Sequence, residues 1–235
     1  VVDILAVLYG KVMQYRSNNP KWDGRDRFIL SKGHAGAGVY AILAECGFFD
    51  IVELAKHYQD GSIFSGHVSH KGVPGVELST GSLGHGLPVA SGMALAAKID
   101  KKTHKVFVVM SDGELDEGSN WEAFMFAAHH GLNNLTAVID RNKLQSMRTT
   151  EETLSLEPLR DKLIAFGWNV IEVDGHDHDE LFSAIDGDTK KPKVIIANTI
   201  KGKGVSFMEN EIAWHYRTPN GRLFDQAMKD LGEKI

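Results

Sequence analysis

Residues 111–118, SDGELDEG, place four carboxylates and two glycines directly behind an apolar run, KVFVVM. A second apolar run, LTAVI, ends in Asp140-Arg141-Asn142-Lys143-Leu144, which puts Asn142 thirty positions after Asp112. A carboxylate, an amide oxygen and a backbone carbonyl are hard oxygen ligands. Mg²⁺ takes such ligands octahedrally and completes its shell with water and phosphate oxygens. Gly113 lets backbone approach a phosphate with no Cβ in the way, and a helix opening near Ser119 adds a favourable dipole. The residue types therefore suit a Mg²⁺-diphosphate site. The competing interpretation is an Asp-Gly turn and an Asn cap, both common at strand and helix ends.

Histidine is the other chemically expressive residue, with eleven in the chain. His57, His67, His70 and His85 fall in or near a segment, 61–86, that is dense in Gly, His and Ser, and His34 lies just upstream. Imidazoles exchange protons near neutral pH and hydrogen-bond to hydroxyls. His57, His129, His130 and His178 read as ordinary packed or surface residues, and His70 and His85 receive no role. The cluster DGHDHDE, 174–180, looks like a metal site, but its spacing matches no zinc pattern. Asp177 followed by Glu180 instead reads as a helix cap, with His176 kept as a secondary candidate. The KGKG run at 201–204 could meet phosphate or be a solvated loop, and Met and Phe in WEAFMFAAHH read as core.

Positioning these residues falls to alternating elements. Strands are expected over FIL, 105–110, 135–140, 169–174 and 193–200. Helices are expected over the opening VVDILAVLYGKVM, GVYAILAECG, VELAKHYQ, Leu87 to Ile99, and around 119–131, 157–167 and 179–186. Continuous apolar strands alternating with helices imply one α/β domain over 1–235, a doubly wound parallel sheet covered on both faces. Right-handed crossovers then bring Asp112 and Asn142 to one edge, where such folds bind ligands.

Composition narrows the classes. Net charge is −5 (26 basic, 31 acidic residues) with no basic arm, which argues against nucleic acid. No apolar stretch reaches the roughly 18 residues that span a bilayer. A single cysteine, Cys46, in an apolar stretch fits a reducing, cytoplasmic setting. The chain opens in mid-helix without Met, and a preceding segment is expected.

SDGELDEGSNWEA followed by DRNKLQ resembles the thiamine diphosphate motif of transketolases. RDRFILSKGHAGAG, SGHV, VELSTGSLGHGL and IKGKGVSFMENEIAWH agree with that family in order, over essentially the whole chain. The resemblance implies a thiamine diphosphate-binding fold in which Asp112 and Asn142 ligate Mg²⁺ (or Ca²⁺ or Mn²⁺) by side chain and Leu144 by its carbonyl. Gly113 binds the diphosphate by its amide, and Gly81, Ser82 and Leu83 line the cofactor. His34 touches the diphosphate side, while His67 and His215 face cofactor and substrate. Glu117 and Glu122 belong to an acidic cluster at a subunit interface. Glu114 and Asp116 get no such role and are expected to be solvated or to favour the helix start. The pattern departs at Ser111, where the family has Gly and a positive φ would be costly, and Arg141 has no assigned role.

The family's catalytic glutamate, which contacts the cofactor's pyrimidine ring, lies in a second domain that has no counterpart here. The resemblance thus implies either a fragment of a longer transketolase or, as the preferred expectation, the N-terminal subunit of a two-chain transketolase, partnered by a C-terminal subunit in an α2β2 assembly and acting on sugar phosphates. A 2-oxoacid dehydrogenase or deoxyxylulose phosphate synthase component is an alternative enzyme, and a non-catalytic cofactor-binding subunit is an alternative of another class.

Overall fold

A computed structural model describes residues 1–232. Its centre is a sheet of five parallel strands: β1 (Arg27–Leu30), β2 (Val106–Ser111), β3 (Leu135–Arg141), β4 (Asn169–Asp174) and β5 (Lys193–Asn198), in the order β1-β2-β3-β5-β4. The five expected strands are all present, with ends shifted by at most two residues. Every residue of β2 and β3 is buried, as their unbroken apolar runs require of strands covered on both faces. The edge strand β4 is only partly buried, and its sequence correspondingly mixes Asn, Glu and Asp with valines.

Alternate residues feed two cores. Phe28, Leu30, Phe107, Val109, Val138 and Ile195 face helices α1 (Val2–Val7), α2 (Gly36–Glu45) and, on the same side of the sheet, the later α7 (His178–Asp186). Ile29, Val106, Val108, Met110, Ala137 and Ile139 face α3 (Gly86–Ile99), α4 (Gly118–His129) and α6 (Leu159–Ala165). Full burial of each large apolar side chain stabilises the fold by about 1.5–3 kcal/mol. Two further helices, α5 (Thr150–Thr153) and α8 (Arg222–Asp230), lie outside this sandwich. The α5 turn begins with a complete capping box between Thr149 and Glu152.

Two expectations need correction. The stretch at VELAKHYQ forms a 3₁₀ segment, Ile51–Lys56, not an α-helix. Its chain turns at Tyr58, which adopts φ +59°. In WEAFMFAAHH, Phe124 is fully buried but Met125 and Phe126 are 52% and 39% exposed, so only part of that run is core. Helix α1 also continues beyond Val7 in wider π-type turns, Leu8–Val12. The segment before α3 is irregular, as its glycine content implies. Among the described residues, no helix is long and apolar enough to cross a membrane.

Candidate active site

Strands β2 and β3 pair in register, with Ser111 opposite Asp140. The turns that follow them therefore meet at the carboxyl edge of the sheet. Asp112 has no exposed surface. Its Oδ1 accepts from the Gly113 amide at 2.9 Å, and its Oδ2 accepts from the Lys143 amide at 2.6 Å and from Arg141 Nη1 at 3.2 Å. The Lys143 bond folds the 142–144 turn directly onto the carboxylate. Lys143 adopts φ +65° to make this turn, and Asn142 Oδ1 accepts from the Leu144 amide at 3.1 Å. Leu144 then bridges to Thr149, flanked by hydrogen bonds from Gln145 and Thr150 amides. The Leu144 carbonyl itself takes no hydrogen bond among the described residues.

These donors suit a hard divalent cation. Burial pushes the Asp112 carboxyl above its usual range despite the Lys143 and Gly113 amides and the Arg141 charge, so the site as it stands undercompensates a buried anion. An amide oxygen and an unused carbonyl lie on the turn folded against it. Ser111 is the last residue of β2 and is not in the left-handed region, so serine carries no backbone penalty there.

Beside this turn opens a cavity of about 330 Å³, lined among others by Lys32, His34, Asn142, His176, Lys201 and His215. The His34 and His215 rings stand 5.4 Å apart, centroid to centroid. Lys32 Nζ forms a buried ion pair with Asp140 Oδ2 at 2.9 Å. Burial raises the Asp140 carboxyl, but Lys32, the Val1 amino group and the Thr199 hydroxyl together outweigh that and hold it well below the carboxylate range. Desolvation lowers His34, reinforced by Lys32, His215 and Lys201; it lowers His215 likewise, reinforced by Lys201 and Lys32. Both imidazoles are thus neutral at neutral pH, beside two lysines that favour an anion.

The remaining expected residues divide into two groups. His67 is not part of the cavity wall, but its ring packs against the loop before α3: a Cβ on Gly81 would stand 3.1 Å from His67 Cδ2. Its own carbonyl accepts from Tyr40 and Ser65 hydroxyls. The Val68 amide donates to Gly33 O at 3.0 Å, which keeps His67 beside the His34 turn. Gly81, Ser82 and Leu83 lie in the same loop, pinned at Thr80, whose hydroxyl donates to Leu30 O at 2.5 Å. Gly84 takes φ +82°, where a Cβ would meet Glu117 at 2.6 Å, so only glycine closes this loop onto the β2 turn. The Gly113 amide is turned onto Asp112. Glu117 and Glu122 are exposed, at the start and in the second turn of α4, away from the cavity.

Glu114 corrects the sequence reading most sharply. It is not solvated; it has no exposed surface. Oε1 accepts from the Ser31 hydroxyl and from the Gly84 amide (2.9 Å), and Oε2 accepts from the Ser111 amide (3.2 Å). One carboxylate thereby ties together the end of β1, the loop before α3 and the end of β2. Asp116 is half-buried, with Oδ2 accepting from Gln145 Nε2 at 2.8 Å. Sequence reasoning also misses Lys32 and Asp140. The available signal is their position, each at the end of an apolar strand run. By contrast, DGHDHDE is the expected cap: Asp177 Oδ1 accepts from the Asp179 and Glu180 amides at 2.9 Å. His176 Nε2 accepts from the Ile200 amide at 2.8 Å, which fixes the turn before KGKG.

A parallel sheet with this edge has known counterparts. The family described as "Transketolase, thiamine diphosphate binding domain" matches residues 1–231. The chain belongs to the transketolase family. It is 44% identical over 237 residues to an apulose-4-phosphate transketolase subunit of Phocaeicola vulgatus, covering all of this chain and 84% of that protein. It is 42% identical over 234 residues to the 6-deoxy-6-sulfo-D-fructose transketolase subunit of Clostridium sp., covering 98% and 85%. The crystal structure of Campylobacter jejuni transketolase superposes with a TM-score of 0.90 at 30% identity, over 98% of this chain but 38% of that one. This transketolase-family chain thus spans more than four-fifths of the proteins named as subunits, but under half of the solved Campylobacter jejuni transketolase chain.

Proposed function

We propose that the chain is the N-terminal subunit of a two-chain transketolase, which transfers a two-carbon ketol unit from a ketose phosphate to an aldose phosphate with thiamine diphosphate and Mg²⁺. The observation carrying this reading is the 142–144 turn folded onto the buried Asp112 carboxylate beside a cavity lined by Lys32 and Lys201. Asp112 and Asn142 by side chain, and Leu144 by its carbonyl, are the residues that hold the metal. Gly113, Gly81, Ser82 and Leu83 contact the cofactor. Lys32 and Lys201 supply the positive field for its diphosphate.

The chemistry supplied by bound thiamine diphosphate is a carbon nucleophile and an electron sink, which no side chain provides. The chain's own residues orient and move protons. Neutral His34 and His215 each offer one ring N–H and one lone pair to substrate hydroxyls, with His67 from the adjoining loop. The partner subunit contributes the pyrimidine-binding domain and its glutamate, and Glu117 and Glu122 lie at the interface of an α2β2 assembly. Two of the relatives are named for sugars bearing an anionic group, apulose-4-phosphate and 6-deoxy-6-sulfo-D-fructose, which supports an anionic ketose as donor.

The test is reconstitution with the partner subunit. Ketol transfer from a ketose phosphate to ribose phosphate is expected only in the mixture. Turnover of pyruvate instead would overturn the reading, as would a mixture inert on every ketose tried.

A further inference from the structure

Arg141 is a buried charge that the proposed chemistry leaves unused. It ends β3, is 3% exposed and immediately precedes Asn142. Its guanidinium straddles two environments. Nη1 donates to Asp112 Oδ2 at 3.2 Å and to Thr150 Oγ1 at 2.7 Å; Nη2 donates to Glu157 Oε1 at 2.9 Å and Glu151 Oε1 at 3.2 Å. On one side lies the fully buried carboxylate assigned to the metal. On the other lie two carboxylates whose side chains are 40% and 56% exposed.

Neither surface carboxylate is free to drift. Glu151 accepts from the Ser155 hydroxyl at 2.6 Å and the Leu156 amide at 3.2 Å, and Glu157 Oε2 accepts from the Leu159 amide at 2.9 Å. The guanidinium bonds to Thr150 and Glu157 are also shorter than its bond to Asp112. A guanidinium and a divalent cation on one carboxylate repel each other, so whatever draws the guanidinium's charge outward favours the metal.

We propose that Arg141 is a tethered counter-cation of Asp112, and that Glu151 and Glu157 are positioning residues that raise divalent-metal affinity by sharing the guanidinium's charge, so that less of it falls on that carboxylate. The inference rests on the metal-site reading above and deepens it. In this arrangement Arg141 compensates the buried carboxylate until metal arrives, and then remains compensated by the 150–157 segment.

The experiment is Mn²⁺ binding, followed by electron paramagnetic resonance, in the chain assembled with its partner subunit plus thiamine diphosphate. Glu151→Gln/Glu157→Gln is expected to weaken Mn²⁺ binding roughly three- to tenfold, the range for losing two partly exposed charge pairs. Glu157→Asp, which keeps the charge, is expected to stay close to wild type. Placed on an Arg141→Gln background, the double change is expected to lose its effect. Unchanged Mn²⁺ affinity in the double variant would overturn the inference while leaving the metal site standing. An equal loss on the Arg141→Gln background would overturn it too, because the carboxylates would then act through space. If the wild-type assembly binds no Mn²⁺, the metal-site reading fails and the inference with it.

Discussion

Two acid-rich turns in this chain look alike and behave oppositely. SDGELDEG follows β2, and DGHDHDE follows β4. In the first, Asp112 and Glu114 have no exposed surface and organise three neighbouring segments. In the second, Asp174, Asp177, Asp179 and Glu180 are exposed, and Asp177 alone caps the helix that follows. Composition does not separate them; position in the sheet does. β2 is flanked by β1 and β3 and covered on both faces, so the turn beyond it is walled by neighbouring turns. β4 is an edge strand, and its turn meets water. A carboxylate costs little at the edge, but at the centre it persists only where amides, hydroxyls or cations surround it.

The largest contrast between the turns should appear in ligand binding. Asp112→Ala is expected to abolish metal-dependent thiamine diphosphate binding, measured calorimetrically in the assembled enzyme, while Asp177→Ala leaves it unchanged. Equal behaviour of the two variants would erase the distinction. Stability should sharpen it next. Glu114→Ala leaves the Ser31 hydroxyl and the Gly84 and Ser111 amides without their acceptor, and about 3 kcal/mol of unfolding free energy is expected to be lost. Denaturant titration checks this, with a midpoint shift at constant slope. For Asp177→Ala the loss of a helix cap should cost about 1 kcal/mol, and Asp177→Asn should recover most of it.

The smallest effect is electrostatic. His34 and His215 titrate below the ordinary imidazole range in the folded chain, so between that lowered pKa and about 6.5 the unfolded chain binds more protons. Stability contributed by these residues is therefore full above about pH 6.5 and declines as pH falls. In NMR titrations their ring resonances should remain in the neutral position at about pH 6, and His34→Gln should flatten the acid limb of the stability curve. A His34 midpoint at about 6.5 or higher would contradict the role of the Lys32 and Lys201 field.

Much of this was legible because the relevant signals are local. Unbroken runs such as VFVVM and LTAVI announce strands buried on both faces, and the polar residues ending them mark the ligand edge. Asp112 and Asn142 are readable from residue type and one crossover's spacing. The Asp177 cap is readable because capping is settled within a single turn of chain. Glu114 was not legible, since nothing within its own turn distinguishes it from Asp116; its burial is decided by Ser31 and Gly84, which are distant in sequence. Arg141 likewise finds its partners through the fold of the 149–157 segment. WEAFMFAAHH is apolar nearly all round, so its periodicity could not say which face of α4 meets the sheet, and Met125 and Phe126 lie outside it.

The most direct measurement is an anomalous-diffraction map of the assembled enzyme crystallised with Mn²⁺ and thiamine diphosphate. One strong peak is expected within about 2.0–2.4 Å of an Asp112 carboxylate oxygen, the Asn142 side-chain oxygen and the Leu144 carbonyl. A peak coordinated elsewhere, with these three groups still bonded only to protein, would contradict the account.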